Sequence, residues 1–203
     1  MDGYIERIKQ KINELPYGSA FIVSDFTGIC DYQTAKRLIA RLCESGDIRR
    51  VIRGVYDKPA YSELLQEYVA PDNNEIAKAI ARNYNWTIIP SGNVALNMLG
   101  LSTQVPVKWE YCSSGPYREY GYDKITISFK HSSNKEIEGL SYDTALLIQA
   151  IKALGKDRIS DKDISRLKER ITRMNKENII QEAKHTTSWI FTVIKKICRE
   201  EIE

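Results

Sequence analysis

Residues 31–58 read DYQTAKRLIARLCESGDIRRVIRGVYDK, and this stretch decides how the first part of the chain folds. Four apolar residues in its first half recur at the spacing of one helical face: Ala35, Leu38, Ile39 and Leu42. This period predicts a helix over residues 31–44, with Asp31 as a suitable N-cap. Residues 45–47, Ser-Gly-Asp, are typical of a helix end.

The second half of the stretch predicts a two-stranded hairpin. Its strand-forming residues are Ile48, Val51, Ile52, Val55 and Tyr56. Arg53 and Gly54 lie between the two runs and supply the turn.

Two further helices are predicted before this stretch. A first apolar stripe consists of Ile5, Ile8, Ile12 and Leu15. It predicts a helix over residues 2–15, and Ser24 and Gly28 bound a short second helix over residues 23–27. The order helix, helix, helix, hairpin within residues 1–58 is that of a winged helix-turn-helix. In that fold the third helix enters the major groove of DNA and the hairpin, or wing, contacts the flanking backbone.

Polar and basic side chains lie where such a domain would contact DNA. We predict a DNA-binding site on the outer face of the third helix and on the wing, made of Gln33, Thr34, Lys36, Arg37, Arg41, Arg49, Arg50 and Arg53. Gln pairs bidentately with adenine and Arg with guanine, and both Lys and Arg bind phosphates. Two other interpretations stay open: an ordinary solvated helix face, and a winged helix that contacts only protein.

Positive charge is concentrated in this part of the chain. Between residues 32 and 58, seven Lys and Arg residues stand against three Asp and Glu residues, a net charge of +4. The whole chain of 203 residues carries +3, so the remaining residues sum to −1. Such clustering, rather than the total charge, indicates a nucleic-acid partner.

The rest of the chain predicts a second domain. Residues 59–71 are expected to be a connector, with a helical piece around residues 61–68 as one interpretation. Residues 72–203 are expected to form a mixed α+β domain with a helical tail. Its predicted helices cover residues 72–84, 93–99, 142–154, 162–174 and 187–201, and its strands lie within residues 86–90 and 107–139. The predicted fold class is therefore α+β.

Composition and motifs narrow the class of protein further. Hydrophobic residues make up 42% of the chain and charged residues 28%, as in ordinary globular proteins. The N-terminus lacks the apolar run of a signal peptide, and no run approaches the length of a membrane span. We therefore expect a cytoplasmic protein with no membrane partner. Four scattered cysteines and two isolated histidines form no metal-site pattern, and we expect no metal, no cofactor and no catalytic residue.

Two motifs resemble those of a known family. They are R-G-V-Y-D-K-P at residues 53–59 and P-S-G-N-V-A-L-N-M-L-G-L-S-T-Q-V-P at residues 90–106. Both are similar to sequences of AbiEi-type antitoxins, which belong to type IV, abortive-infection toxin–antitoxin systems. The resemblance covers most of the chain.

The resemblance implies a two-domain transcriptional autorepressor and antitoxin. It implies that the winged helix binds double-stranded DNA at inverted repeats in its own promoter, and that the protein opposes a nucleotidyltransferase-like toxin encoded next to it. In the family, basic residues of the winged helix carry DNA binding; here these are Lys36, Arg37, Arg41, Arg49, Arg50 and Arg53. The alternative is a protein-interaction module that neutralises a partner without sequence-specific DNA binding. Both a monomer and a homodimer are compatible with inverted repeats.

Overall fold

The chain forms two compact units, each with its own hydrophobic core. The structure is a computed structural model that describes residues 2–132 and 139–199. The first unit comprises Met1–Trp86 and Tyr120–Asp123, and the second comprises Thr87–Glu119 and Lys124–Glu203.

Three α-helices, a short 3-10 helix and five short strands lie within the first 86 residues. The helices are α1 (Asp2–Glu14), α2 (Tyr32–Glu44) and α3 (Asn73–Tyr84), with the 3-10 helix at Val23–Phe26. The strands are β1 (Ala20–Phe21), β2 (Arg49–Ile52), β3 (Val55–Asp57), β4 (Tyr61–Ser62) and β5 (Glu67–Tyr68). An antiparallel sheet has the order β1-β3-β2, and β4 pairs separately with β5.

Local sequence signals fix both ends of α2. Asp31 Oδ1 accepts hydrogen bonds from the backbone N–H groups of Gln33 and Thr34, each at 3.0 Å. These bonds satisfy two of the donors that a helix leaves free at its N-terminus. After the helix, Gly46 adopts a φ of +79°, which glycine tolerates without strain, and the chain turns towards β2.

The apolar face of α2 is central to the first core. Its buried residues are those that the helical period predicted: Ala35, Leu38, Ile39 and Leu42. The same core contains residues from α1, β1 and the 3-10 helix: Ile8, Ile12, Phe21, Val23 and Phe26. Because one face of α2 is buried in this way, the opposite face is turned to solvent.

The predicted order of helices and hairpin is confirmed, with three differences. The short second helix is a 3-10 helix, and β1 was not predicted because two residues display no period. The interpretation of residues 61–68 as a helical piece is wrong, since this segment is the β4–β5 hairpin. Gln66 has a φ of +54°, which ends any helix there, and the rings of Tyr61 and Tyr68 meet across the strands at 5.3 Å.

Helix α3 groups with the first unit, although the sequence assigned it to the second domain. It packs against β1 and β3, and its Arg82 donates a hydrogen bond of 2.9 Å to the Ala20 carbonyl oxygen. Arg82 also forms an ion pair with Asp25 at 3.1 Å. The sequence placed the boundary between the units at residues 59–71, whereas the structure places it after Trp86. The two differ because α3 packs on the sheet of the first unit.

Among the described residues after Trp86, the chain forms four strands of one sheet and five α-helices; all belong to the second unit except residues 120–122 of the third strand, which group with the first. The strands are β6 (Ile88–Pro90), β7 (Lys108–Ser113), β8 (Arg118–Tyr122) and β9 (Ile125–His131), in the order β6-β7-β9-β8. Strands β7 and β9 run parallel, and β6 is antiparallel to β7. The helices are α4 (Gly92–Met98), α5 (Tyr142–Leu154), α6 (Asp161–Arg170), α7 (Lys176–Ala183) and α8 (Ser188–Cys198).

Helix α5 is the central element of the second core, since every residue from Thr144 to Ile151 is buried. The predicted helix at 162–174 is α6 followed by a 3-10 helix at Ile171–Arg173, and α7 was not predicted. The short strand expected at residues 136–139 lies outside the described residues, apart from Gly139. The predicted α+β class is confirmed. Within the described ranges, no helix is long and apolar enough to cross a membrane.

The packing of α2 makes a prediction about stability. Ile39 is fully buried, so Ile39→Ala is expected to lower the free energy of unfolding of the first unit by about 2–5 kcal/mol. Glu44→Ala, an exposed change on the same helix, is expected to alter it by less than about 0.5 kcal/mol. Both changes in free energy are measured by urea denaturation, with hydrogen exchange of the α2 amides as the readout. Equal effects of the two substitutions would contradict the packing described here.

Candidate nucleic-acid interface

The solvent face of α2 has a basic and polar surface. Successive residues of a helix are rotated by about 100°, so Gln33, Arg37, Ala40 and Arg41 project on the side opposite the buried residues, with Lys36 at its margin. All five are exposed. Ala40 lies near the middle of this face, and its small side chain leaves room for a large ligand to approach the helix.

Thr34 occupies a different position from the other predicted residues of α2. It is half-buried, and its hydroxyl accepts a hydrogen bond of 3.4 Å from Arg37 Nη2. Hydrogen bonds from the Thr34 side chain and backbone also lower the pKa of Asp31 below its ordinary value of 3.8. Thr34 therefore stabilises the helix start, and the structure gives it no free position on the outer face.

The wing is irregular, and this irregularity directs its side chains. Ile52 lies opposite Val55, and Arg53 and Gly54 form the turn between them. Gly54 has a φ of +84°, so glycine is the residue suited to the tip. The register shifts between Arg50 and Ile52, where β2 contains an extra residue.

The predicted DNA ligand Arg49 is engaged within the protein. Its Nε donates to Asp57 Oδ1 at 3.0 Å and its Nη2 to Asp57 Oδ2 at 2.5 Å, a bidentate pair. Nη2 also donates to the Val69 carbonyl oxygen at 3.1 Å. The hydrogen bonds that Arg49 donates to Asp57 raise the pKa of Arg49, and Asp57 is only 1% exposed. Arg49 is thus a structural residue in this unit, and we exclude it from the candidate interface.

The other predicted cations have no such partner. Of the residues that the structure describes, none places a carboxylate within the 4.0 Å ion-pair distance of Lys36, Arg37, Arg41, Arg50 or Arg53. All five side chains are exposed, on the outer face of α2 or on the wing. They form the surface that we call the basic face.

Two of the acidic groups near the basic face are neutralised by ion pairs. Asp47 forms an ion pair with Lys9 at 3.1 Å, and Asp57 is held by Arg49. Of the three carboxylates between residues 32 and 58, Glu44 alone is in none of the ion pairs described. Asp31, the N-cap of α2, is likewise in none of these ion pairs. Five cations and two carboxylates therefore leave the basic face with a local charge of +3.

Two lysines of the first unit bond to its own backbone. Lys58 donates to the carbonyl oxygens of Asn13 and Leu15 at 2.8 and 3.2 Å and lies over the Tyr17 ring. Lys11 donates to the Asp25 carbonyl oxygen at 2.5 Å. These contacts set Lys58 and Lys11 apart from the basic face.

One exposed residue near the basic face was not predicted. Tyr32 is the first residue of α2 and is 47% exposed, a position from which a side chain can contact DNA. Its position directly after the Asp31 N-cap, at the start of the predicted third helix, was the signal in the sequence that could have identified it. For metal binding, the described residues contain no group of three or more His, Cys, Asp or Glu suited to hold an ion.

Fold and site together define an α+β protein whose N-terminal unit has the helix and hairpin order of a winged helix and an exposed basic face. The chain belongs to the DUF6088 family, a family of unknown function, whose model matches residues 7–179. A crystal structure of the RV2827C protein from Mycobacterium tuberculosis is similar with a TM-score of 0.44 and 12% identity, over 97% of this chain and 76% of that chain. Among curated proteins, none matches this chain in sequence.

The N-cap of α2 predicts a pH dependence. Folding lowers the pKa of Asp31, so its stabilising effect is full above 3.8 and is lost as the pH falls below that value. Asp31→Ala is expected to lower the urea midpoint of the first unit at about pH 7 and to differ less from wild type at about pH 2.5. Asp31→Asn retains a neutral acceptor without the charge, so at about pH 7 it is expected to fall between Asp31→Ala and wild type, with little pH dependence of its own. A difference between Asp31→Ala and wild type that is the same at both pH values would contradict the role of the charged cap.

Proposed function

We propose that the protein is a DNA-binding transcriptional autorepressor and antitoxin of a type IV, abortive-infection toxin–antitoxin system. It binds inverted repeats in its own promoter through the first unit and opposes a nucleotidyltransferase-like toxin. In this proposal it acts in the cytoplasm, as a monomer or homodimer, without catalysis of its own. The antitoxin part of the proposal rests on the motifs at residues 53–59 and 90–106.

One observation carries the DNA-binding part: the five free cations of the basic face. A phosphate backbone attracts such cations because binding releases condensed counterions. Arg50 and Arg53 on the wing are placed for backbone contacts, and Gln33 and Arg37 on α2 have the side chains that read adenine and guanine edges. The geometry supports a division in which α2 reads bases and the wing holds the backbone.

A second candidate function is a protein-interaction module, and the β4–β5 hairpin favours it. Five exposed apolar residues lie in this short segment: Tyr61, Leu64, Leu65, Tyr68 and Val69. Its charged residues are Glu63 and Glu67, so it repels DNA. Exposed apolar side chains of this density are typical of a surface that contacts protein.

Fluorescence anisotropy on duplex DNA from the protein's own upstream region, compared with a scrambled duplex, tests the proposal. We expect tighter binding to the upstream duplex and an affinity that falls steeply with salt. Arg50→Ala/Arg53→Ala is expected to weaken binding about tenfold and to reduce the slope of log affinity against log salt by about 1.8, since each lost phosphate contact removes about 0.9.

The matched control is Lys162→Ala/Arg166→Ala, which removes two exposed cations of α6 in the second unit. This variant has the same net charge as the wing variant and is expected to bind nearly as wild type does. Equal, weak binding of wild type to both duplexes would contradict operator recognition. It would favour the protein-interaction module instead.

A further inference from the structure

The wing is anchored at its root by a buried carboxylate. Asp57 belongs to β3, the central strand of its sheet, with Ala20 on one side and Arg49 on the other. Since Asp57 is almost fully buried, its charge requires a partner inside the protein. The Arg49 guanidinium is that partner, through two parallel N–H···O bonds.

The same guanidinium reaches a third strand segment. Its Nη2 donates to the carbonyl oxygen of Val69, which follows β5. One side chain thus ties together β2, β3 and the end of the β4–β5 hairpin. A cavity of about 280 Å³ adjoins these groups, with Tyr17 and Asp72 also in its wall. Because the space beside the ion pair is open, hydrogen bonds rather than close packing set the position of the guanidinium.

The wing cations come directly after this anchor. Arg50 is the next residue of β2, and Arg53 follows the bulge at the tip. Strand side chains alternate between faces, so Arg50 lies on the opposite face of the sheet from Arg49, where its partner in β3 is Tyr56. The pairing of Arg49 with Asp57 therefore fixes the root of the hairpin from which both wing cations project.

We infer that Arg49 is a positioning residue for DNA binding: by holding Asp57 and the Val69 carbonyl oxygen, it sets the direction from which Arg50 and Arg53 meet the phosphate backbone. This inference rests on the proposed function. It assigns a role in DNA binding to Asp57 as well, a buried acidic residue outside the basic face.

The substitution Asp57→Asn tests the inference, because two accounts predict opposite results. General electrostatics predicts tighter DNA binding, since a negative charge is removed from the unit. If Arg49 positions the wing, the variant instead binds about five- to tenfold more weakly, with a salt slope reduced by about 1 to 2, as expected when one or two wing contacts are lost. The salt slope separates this effect from partial unfolding, which lowers the active fraction and leaves the slope unchanged.

Asp47→Asn is the matched control. It removes the same charge from the same unit. Hydrogen bonds from Ser45 and Lys9 lower the pKa of Asp47, and neither of these partners belongs to the ion pair of Arg49 and Asp57. This control is expected to bind DNA as tightly as wild type or slightly more tightly. Binding by Asp57→Asn that matches the control would overturn the inference.

Arg49→Lys provides a second test that does not depend on the folding of Asp57→Asn. Lysine retains the positive charge and loses the planar fork that bonds both carboxylate oxygens. Weaker binding with a reduced salt slope supports positioning, whereas unchanged binding indicates that only the charge matters and overturns it. If wild type binds neither duplex, the proposed function itself fails. If wild type binds the upstream duplex and these variants bind it equally well, only the positioning role of Arg49 fails.

Discussion

The ion pair between Arg49 and Asp57, together with the bulge in β2, determines which charges the wing presents. In a regular hairpin closed by Ile52 and Val55, Asp57 would lie opposite Arg50. The extra residue shifts the register by one, and Asp57 lies opposite Arg49 instead. One guanidinium is then held inside the protein and its neighbour is left exposed. A change of register by a single residue thus decides which arginine can meet a ligand.

The first unit uses its cations for two separate purposes. One group bonds within the unit: Lys11 and Lys58 donate to carbonyl oxygens, and Arg49 binds a buried carboxylate. These bonds stabilise the positions of α1, the sheet and the hairpin. The cations of the basic face have no carboxylate partner among the described residues. The buried side of α2 keeps Lys36, Arg37 and Arg41 turned to solvent, and Arg50 and Arg53 are exposed on the wing. This separation leaves a local charge of +3 around α2 and the wing, as large as the charge of the whole chain.

Elements with a clear period were predictable from the sequence, and elements fixed by tertiary contacts were not. Helix α2 was predicted within a residue or two because its apolar residues recur at helical spacing behind the Asp31 cap. Helix α5 was predicted as closely because it is a mostly apolar run of helix length. Strand β1 is too short to show a pattern, and the place of α3 depends on the sheet it covers. In the site, exposure of the α2 cations followed from the helical period. The engagement of Arg49 did not, because the bulge that pairs it with Asp57 has no sequence signature.

The central claim is that DNA contacts the basic face, and an NMR titration of the isotopically labelled protein with upstream duplex tests it most directly. At 23.3 kDa the protein is small enough for residue-specific amide signals. The account predicts that the largest shifts fall within residues 31–41 and 50–54, and that the β4–β5 hairpin is little affected. Shifts confined to the hairpin or to the second unit, with residues 31–41 unchanged, would contradict it.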